Sequence, residues 1–237
     1  MSNQSKPVAI VAAMRRELAP LLGHRQARQV ESVDLYDLPG ALVALGGIGK
    51  KFARHTAEVA IAHVSPRLLL SVGIVGALSP HLKVGDVGRI REVVDVATGV
   101  RYPAEVDGDW VLATSSVISD AEQKRELRVR YSADVVDMEG SAVAQVAREQ
   151  GLAFASVKAV SDDAEFVMPP LDRFIDSAGS FETRRFLAYV VLHPRWWKSV
   201  VKMKQNDELA TANLCREVEH LIQSGCQLPV AGCEKAQ

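Results

Sequence analysis

The sequence predicts an α/β fold, and three observations support this class. Apolar runs of strand length alternate with segments of helical periodicity from the start of the chain. Several runs end in glycines or carboxylates, which is typical of strands that lead into ligand-binding loops at one edge of a sheet. Finally, 237 residues are enough for one large domain, 1–237, with a sizeable core.

Strands and helices alternate in a way that favours a parallel sheet. The predicted strands are Val8–Ala13, Ala41–Leu45, Leu68–Val72, Val84–Val96, Trp110–Ala113, Asp134–Met138 and Phe154–Val160. The predicted helices are 15–22, 50–64, 119–130 with Asp120 as cap, 140–150, 182–192, 195–204 and 207–222. The last three form a C-terminal helical region of about 168–223, and the tail 227–237 is expected to be poorly ordered.

Composition excludes several classes of function. The net charge is −1, so no basic field indicates nucleic acid as a partner. The three cysteines lie near the C-terminus without a CxxC pair, which is typical of reduced cytosolic thiols and not of a metal site. The first residues lack an apolar signal core, and no apolar run approaches the roughly 20 residues that cross a bilayer. We therefore expect a cytoplasmic protein without a metal or organic cofactor.

Glycines follow two neighbouring strands, at Gly46-Gly47-Ile48-Gly49 and at Gly73-Ile74-Val75-Gly76. Neither segment fits a phosphate-loop or dinucleotide fingerprint. The glycines either turn a strand into the next element or let the backbone approach a ligand. Two such turns at adjacent strand ends favour a pocket, with Gly73 expected to close its strand.

Two carboxylates stand at the ends of later strands. Glu139 either complements the dipole of the helix that follows or accepts hydrogen bonds from both hydroxyls of a ribose. Met138 beside it would contact the sugar or belong to the core. Asp162, after Ser161, is either part of a polar turn or a partly buried acid with a raised pKa that protonates a base nitrogen. Together these residues suggest cleavage of a sugar–base bond.

A set of short motifs carries a family resemblance from about residue 8 to 165. The motifs are Ile10-Val11-Ala12-Ala13-Met14, Gly47-Ile48-Gly49-Lys50, Gly73-Ile74-Val75-Gly76-Ala77-Leu78, Leu82-Lys83-Val84-Gly85-Asp86-Val87, Val136-Asp137-Met138-Glu139 and Val160-Ser161-Asp162-Asp163-Ala164. The chain resembles the nucleoside phosphorylase superfamily, on the branch of the methylthioadenosine/S-adenosylhomocysteine nucleosidases. The resemblance implies a three-layer α/β/α sandwich around a mixed, partly barrelled sheet, usually as an oligomer, here expected as a homodimer.

The resemblance also implies roles for individual residues. Glu139 would hold the ribose hydroxyls, Met138 would pack against the sugar, and Asp162 would protonate the purine at N7. Ser161 with Ile118 and Ser119 would lie around the base.

Two departures from the nucleosidases concern the nucleophile. Where they carry a water-activating glutamate after the first strand, the sequence aligns Arg16, which stays protonated and cannot act as a base. Arg16 is either a surface residue or, with the backbone at Gly73, a phosphate site. Ile74 stands where relatives usually have a serine, and Ser71 where bacterial purine phosphorylases have another phosphate-binding arginine, so that site would be incomplete.

The C-terminal region is similar to the hopanoid-associated phosphorylases, which remove adenine from an adenosyl-lipid. His193-Pro194-Arg195 precedes Trp196 and Trp197, and lysines follow. This stripe would contact lipid headgroups at a membrane surface, cover an apolar substrate tail, or simply form helix and dimer contacts.

The expected function is cleavage of the N-glycosidic bond of a purine nucleoside of the adenosine type with a 5′ substituent, for which an apolar group is one option. Arg16 favours phosphorolysis, with phosphate as co-substrate, over hydrolysis. A non-catalytic nucleoside-binding module remains a further alternative.

Overall fold

The computed structural model describes residues 6–117, 120–166, 169–177 and 179–224. Ten strands are present in these ranges: β1 Val8–Ala12, β2 Arg28–Val30, β3 Val33–Leu38, β4 Ala41–Leu45, β5 Leu68–Ala77, β6 Val87–Asp95, β7 Arg101–Pro103, β8 Trp110–Thr114, β9 Val135–Asp137 and β10 Ala153–Asp162. The α-helices there are α1 Ala19–Leu22, α2 Lys50–Val64, α3 Ala121–Tyr131, α4 Gly140–Glu149, α5 Thr183–Leu192 and α6 Trp197–Gln223.

The sheet closes partly on itself. Its strand order is β10-β6-β8-β9-β5-β1-β4-β3-β2, and β10 also pairs with β5. Strands β5, β9, β8, β6 and β10 therefore form a closed five-stranded barrel, from which β1, β4, β3 and β2 extend as an open sheet. Parallel and antiparallel pairs both occur. The mixed, partly barrelled sheet predicted from the resemblance is confirmed, whereas a purely parallel sheet is not found.

Strand β5 is longer than the sequence predicted. It runs through Gly73 and Gly76 instead of ending there, because β10 pairs with it in parallel from Leu68 to Gly76. The glycines make room for side chains that cross the strand. A Cβ on Gly76 would stand 2.9 Å from Asp162 Oδ2, and one on Gly73 would stand 3.4 Å from Glu17 Oε1. Both glycines thus serve close side-chain approach within a strand.

The C-terminal region also differs from prediction. One helix of 27 residues, α6, replaces the two expected over 195–204 and 207–222. Residues 197–223 contain no glycine or proline that would end the helix, and Ala210, Leu214 and Leu221 in its second half pack into the main core. The predicted tail 227–237 lies outside the described residues. Within the described ranges, no helix combines the length and apolar character needed to cross a bilayer.

Candidate active site

One cavity brings together residues from both halves of the sequence. Its walls include three carboxylates, Glu17, Glu139 and Asp162. Met138 and Ser161 line the same cavity. Four of the residues predicted for a sugar and a base therefore share one hollow. Ile118 and Ser119, predicted to lie around the base, fall outside the described residues.

Glu17 reaches the cavity from the short 3₁₀ helix Arg15–Leu18 that follows β1. Its Oε2 accepts hydrogen bonds from the backbone N–H groups of Ala13 at 3.1 Å and Met14 at 2.9 Å. Its Oε1 accepts a longer one from Ile74 N at 3.5 Å. Burial raises the pKa of Glu17, although these N–H groups and Lys158 oppose the rise. A raised pKa makes the ionised form of this carboxyl group a stronger proton acceptor than an exposed glutamate.

Arg16 and Gly73, predicted together as a phosphate site, line two different cavities, both of which Glu17 also lines. The Arg16 side chain is 53% exposed at the cavity wall, and its Nη1 stands 3.9 Å from Asp207 Oδ2. Gly73 lines a small adjoining cavity with Glu17 and Lys158. A Cβ placed on Gly73 would be 3.4 Å from Glu17 Oε1 and 3.6 Å from Lys158 Nζ. The carboxylate of Glu17 therefore occupies the position next to the Gly73 backbone.

Glu139 stands at the junction of β9 and α4. Its Oε1 accepts a hydrogen bond from Gly49 N at 2.7 Å, and its Oε2 accepts one from Met138 N at 3.3 Å. Gly49 belongs to the glycine segment after β4 and has φ of 102°, a conformation that favours glycine. Burial, with Asp137 and Glu17 nearby, raises the pKa of Glu139 to about 8, and Lys158 opposes this rise. Glu139 is partly buried as a residue and lines the cavity.

A buried ion pair supports the strand end that carries Glu139. Lys158 Nζ lies 2.9 Å from Asp137 Oδ2, and both side chains are almost fully buried. Asp137 also accepts hydrogen bonds from Thr114 Oγ1 at 2.9 Å and from Gly140 N at 3.0 Å. These contacts connect β8, β9, β10 and the start of α4, and they fix the direction in which Glu139 points.

Asp162 is the last residue of β10, where a register shift between Val160 and Asp162 interrupts the pairing with β5. Its Oδ1 accepts a hydrogen bond from Ser161 Oγ at 3.0 Å, and its Oδ2 is ion-paired with Lys124 from α3. Burial raises the pKa of Asp162, against the effect of Lys124. Asp162 is thus held at the cavity wall with a neighbour that sequence reasoning did not select.

The C-terminal region forms part of the cavity wall. Leu171, Ile175, Phe181 and Met203 provide apolar surface there, and Asp207 adds a carboxyl group. Burial raises the pKa of Asp207 to about 6, and Arg16 opposes the rise. Trp197 lies away from this wall, at the start of α6, where it is half exposed and its Nε1 donates to Val190 O at 2.8 Å.

Sequence reasoning missed four charged residues of this region: Glu17, Lys124, Lys158 and Asp207. A signal existed for Glu17, since a glutamate three residues after a helix N-cap commonly accepts from the cap N–H. Lys158 and Lys124 carry no local signal, because lysine is rarely buried. Among the described residues, no group of three or more His, Cys, Asp or Glu side chains is arranged to hold a metal ion.

The fold and the site define an α/β protein with a buried, carboxylate-lined pocket at the end of a partly closed sheet. The family described as "Phosphorylase superfamily" matches residues 7–113 and 110–185. The chain belongs to this superfamily. The match ends at residue 185, so the resemblance of the later region to hopanoid-associated phosphorylases stays a prediction.

Solved structures with the same fold cover nearly the whole chain. Futalosine hydrolase of Helicobacter pylori superposes with a TM-score of 0.69 at 17% identity, over 94% of this chain and 100% of that one. The 5′-methylthioadenosine/S-adenosylhomocysteine nucleosidase of Neisseria meningitidis, in complex with methylthio-immucillin-A, gives 0.69 at 22% identity, over 92% and 99%. The 5′-methylthioadenosine nucleosidase of Arabidopsis thaliana gives 0.70 at 17% identity, over 94% and 96%.

Proposed function

We propose that this protein hydrolyses the N-glycosidic bond of a purine nucleoside, with Glu17 as the base that activates water. The observation that carries the proposal is the meeting of three carboxylates, Glu17, Glu139 and Asp162, on one cavity. They come from three separate parts of the sequence. A site of this composition can bind a ribose, deprotonate a nucleophile and protonate a leaving group at the same time.

Each carboxylate takes one role in the reaction. The ionised form of Glu139 accepts hydrogen bonds from the two ribose hydroxyls, and Met138 packs against the sugar. As the bond between C1′ and the purine breaks, its electron pair goes to the base. The protonated form of Asp162, which burial favours, supplies a proton at N7 and becomes the carboxylate that pairs with Lys124. Water adds to C1′ and gives a proton to Glu17. The products are the free purine and the free sugar, and the two proton transfers balance.

The comparisons support this reaction class. The structural relatives described above are named as a hydrolase and nucleosidases, and one of them is bound to methylthio-immucillin-A. The apolar part of the cavity wall, formed by Leu171, Ile175, Phe181 and Met203, suits a nucleoside with an apolar 5′ substituent. The homodimer and the membrane contact of the Trp197 region stay predictions.

Phosphorolysis, which the sequence favoured, is the second candidate. Arg16 supports it, because its guanidinium lines the cavity and remains half exposed. The carboxylate of Glu17 beside Gly73 counts against it, because an ionised carboxylate would repel phosphate there. Hydrolysis is therefore the better supported reaction.

Product analysis with and without phosphate tests the choice. We expect purine release from methylthioadenosine or methylthioinosine in phosphate-free buffer, with free sugar as product. Replacing Glu17 with Gln should lower kcat by about 10²–10⁴-fold, while Arg16→Gln should leave the products unchanged. Formation of a sugar 1-phosphate, together with loss of activity in phosphate-free buffer, would refute hydrolysis and show that the reaction is phosphorolysis.

A non-catalytic nucleoside-binding module makes a different prediction for Asp162→Asn. A binding module would show no turnover before or after the change. A hydrolase would lose turnover in the variant and keep nucleoside binding, which isothermal titration calorimetry measures.

A further inference from the structure

Lys124 is a buried lysine to which the reaction above assigns no role. It lies on α3, and only 1% of its surface is exposed. Its Nζ donates to Asp162 Oδ2 and to Asp163 O, the latter at 2.7 Å. Lys124 also lines the cavity in which Asp162 lies. A charged lysine at this depth needs a compensating interaction, and Asp162 provides it.

The ion pair changes which hydrogen bonds the cavity wall can offer. Ser161 Oγ donates to one oxygen of Asp162, and Lys124 donates to the other. The ammonium group has three donors and no acceptor, and its two partners among the described residues leave one N–H available. Gly76 keeps this patch open, since a Cβ there would be 2.9 Å from Asp162 Oδ2 and 3.3 Å from Lys124 Cε.

Purines differ along the edge that would meet this patch. A 6-oxopurine presents two neighbouring acceptors, N7 and O6, whereas a 6-aminopurine presents the N7 acceptor beside an amino donor. If N7 receives its proton from Asp162, the 6-substituent comes next to it, within reach of Lys124. An O6 atom would accept from the ammonium group. An amino group would instead face the ammonium donors of Lys124.

We propose that Lys124 is a specificity-determining residue that selects nucleosides of 6-oxopurines, such as hypoxanthine, over those of 6-aminopurines. The inference rests on the proposed function, because it takes Asp162 as the group facing N7. It revises the adenosine-type substrate expected from the sequence. A mismatch of two buried donors is costly, since neither can recover its hydrogen bond to water.

Matched substrate pairs test this inference. Inosine with adenosine, and methylthioinosine with methylthioadenosine, differ within each pair only along the N1–C6 edge of the base. We expect the wild-type protein to favour the 6-oxo member by on the order of 100-fold in kcat/KM. Equal rates, or a preference for the 6-amino member, would overturn the proposal.

Variants of Lys124 separate specificity from structural support. Lys124→Met keeps an unbranched side chain without donors, and the preference should fall below about tenfold. Lys124→Gln offers an amide oxygen to the 6-amino group and should shift the ratio further toward adenosine. The matched control is Lys158→Met, which breaks the other buried ion pair, with Asp137. It should lower the rates on both substrates and leave their ratio unchanged.

A structural role alone would lower both rates equally in the Lys124 variants, and an unchanged ratio would refute the inference. Failure of the wild-type protein to cleave any nucleoside would instead refute the proposed function. In that case, calorimetric binding of free hypoxanthine and adenine decides the inference. Tighter binding of hypoxanthine supports it, and equal or tighter binding of adenine contradicts it.

Discussion

Glu139 is expected to stabilise substrate binding and to destabilise the folded protein. Its pKa is about 8 in the folded state, against an ordinary value of 4.5. At pH 7 ionisation of this carboxyl group lowers the free energy of the unfolded chain. In the folded chain the group stays mostly protonated, so the folded state is not stabilised in this way. Over the 2.5 pH units between 4.5 and 7, this favours the unfolded state by about 3 kcal/mol. Because Glu139 is only partly buried as a residue, solvent screening reduces this figure, and we expect a contribution of about 1–3 kcal/mol.

The sign of the pH dependence follows from the same pKa values. Because the folded state binds the proton more tightly, the contribution of Glu139 to stability is complete below pH 4.5. It is lost as the pH rises toward 8. The variant Glu139→Gln keeps an oxygen for the 2.7 Å hydrogen bond from Gly49 N and cannot ionise. It should be more stable than the wild type by about 1–3 kcal/mol at pH 7, with little difference at pH 4.5.

Denaturant unfolding at pH 4.5, 6, 7 and 8 measures this difference. The same variant should lose on the order of 100-fold in kcat/KM, because a charged acceptor for the ribose hydroxyls is gone. Glu149→Gln is the matched control. Glu149 pairs with Arg54 on the surface, and this contact lowers the pKa of Glu149. Replacing Glu149 should therefore not stabilise the protein. A stability gain for Glu139→Gln that does not grow with pH would refute the reasoning.

Two further predictions concern the cavity wall, and a third concerns the stability of the fold. Gly76→Ala places a Cβ 2.9 Å from Asp162 Oδ2, so turnover should fall at least about tenfold, whereas nucleoside binding should weaken less. Steady-state kinetics measures the turnover, and calorimetry measures the binding. Asp207, with a pKa of about 6, loses its charge below that pH, and KM should change near pH 6 in the wild type but not in Asp207→Asn. Gly179 has φ of +73°, and a Cβ added there would lie 2.6 Å from Phe52 Cδ2. Gly179→Ala should therefore lower the melting temperature by several degrees. Calorimetry measures this change, and an unchanged melting temperature would contradict the prediction.

The barrel and the site differ in how far the sequence could predict them. Helix α2 was predicted with the same bounds, because apolar periodicity over 15 residues is a strong local signal. Barrel closure depends on β5 pairing with both β9 and β10, which no local pattern encodes. Barrel closure was predicted only because the motifs indicate a family whose fold has such a sheet.

The position of Glu17, which we propose as the base that activates water, shows that an alignment of single residues can be off by one until the structure is known. Arg15, Arg16 and Glu17 are consecutive charged residues, and the sequence assigned the glutamate's place to Arg16. In the structure the 3₁₀ turn directs Glu17 inward, where only 5% of it is exposed, and leaves Arg16 half exposed. A shift of one residue thus changed the favoured reaction from phosphorolysis to hydrolysis.

Helix α6 serves two purposes along one length of chain. Its first half brings Met203 and Asp207 to the cavity, and its second half buries Leu214, Val218 and Leu221 in the core. Mutations in the first half of α6 that enlarge the cavity for a bulkier substrate would therefore also weaken the packing of its second half in the core. We expect variants of α6 selected for a wider range of substrates to have lower melting temperatures than the wild type.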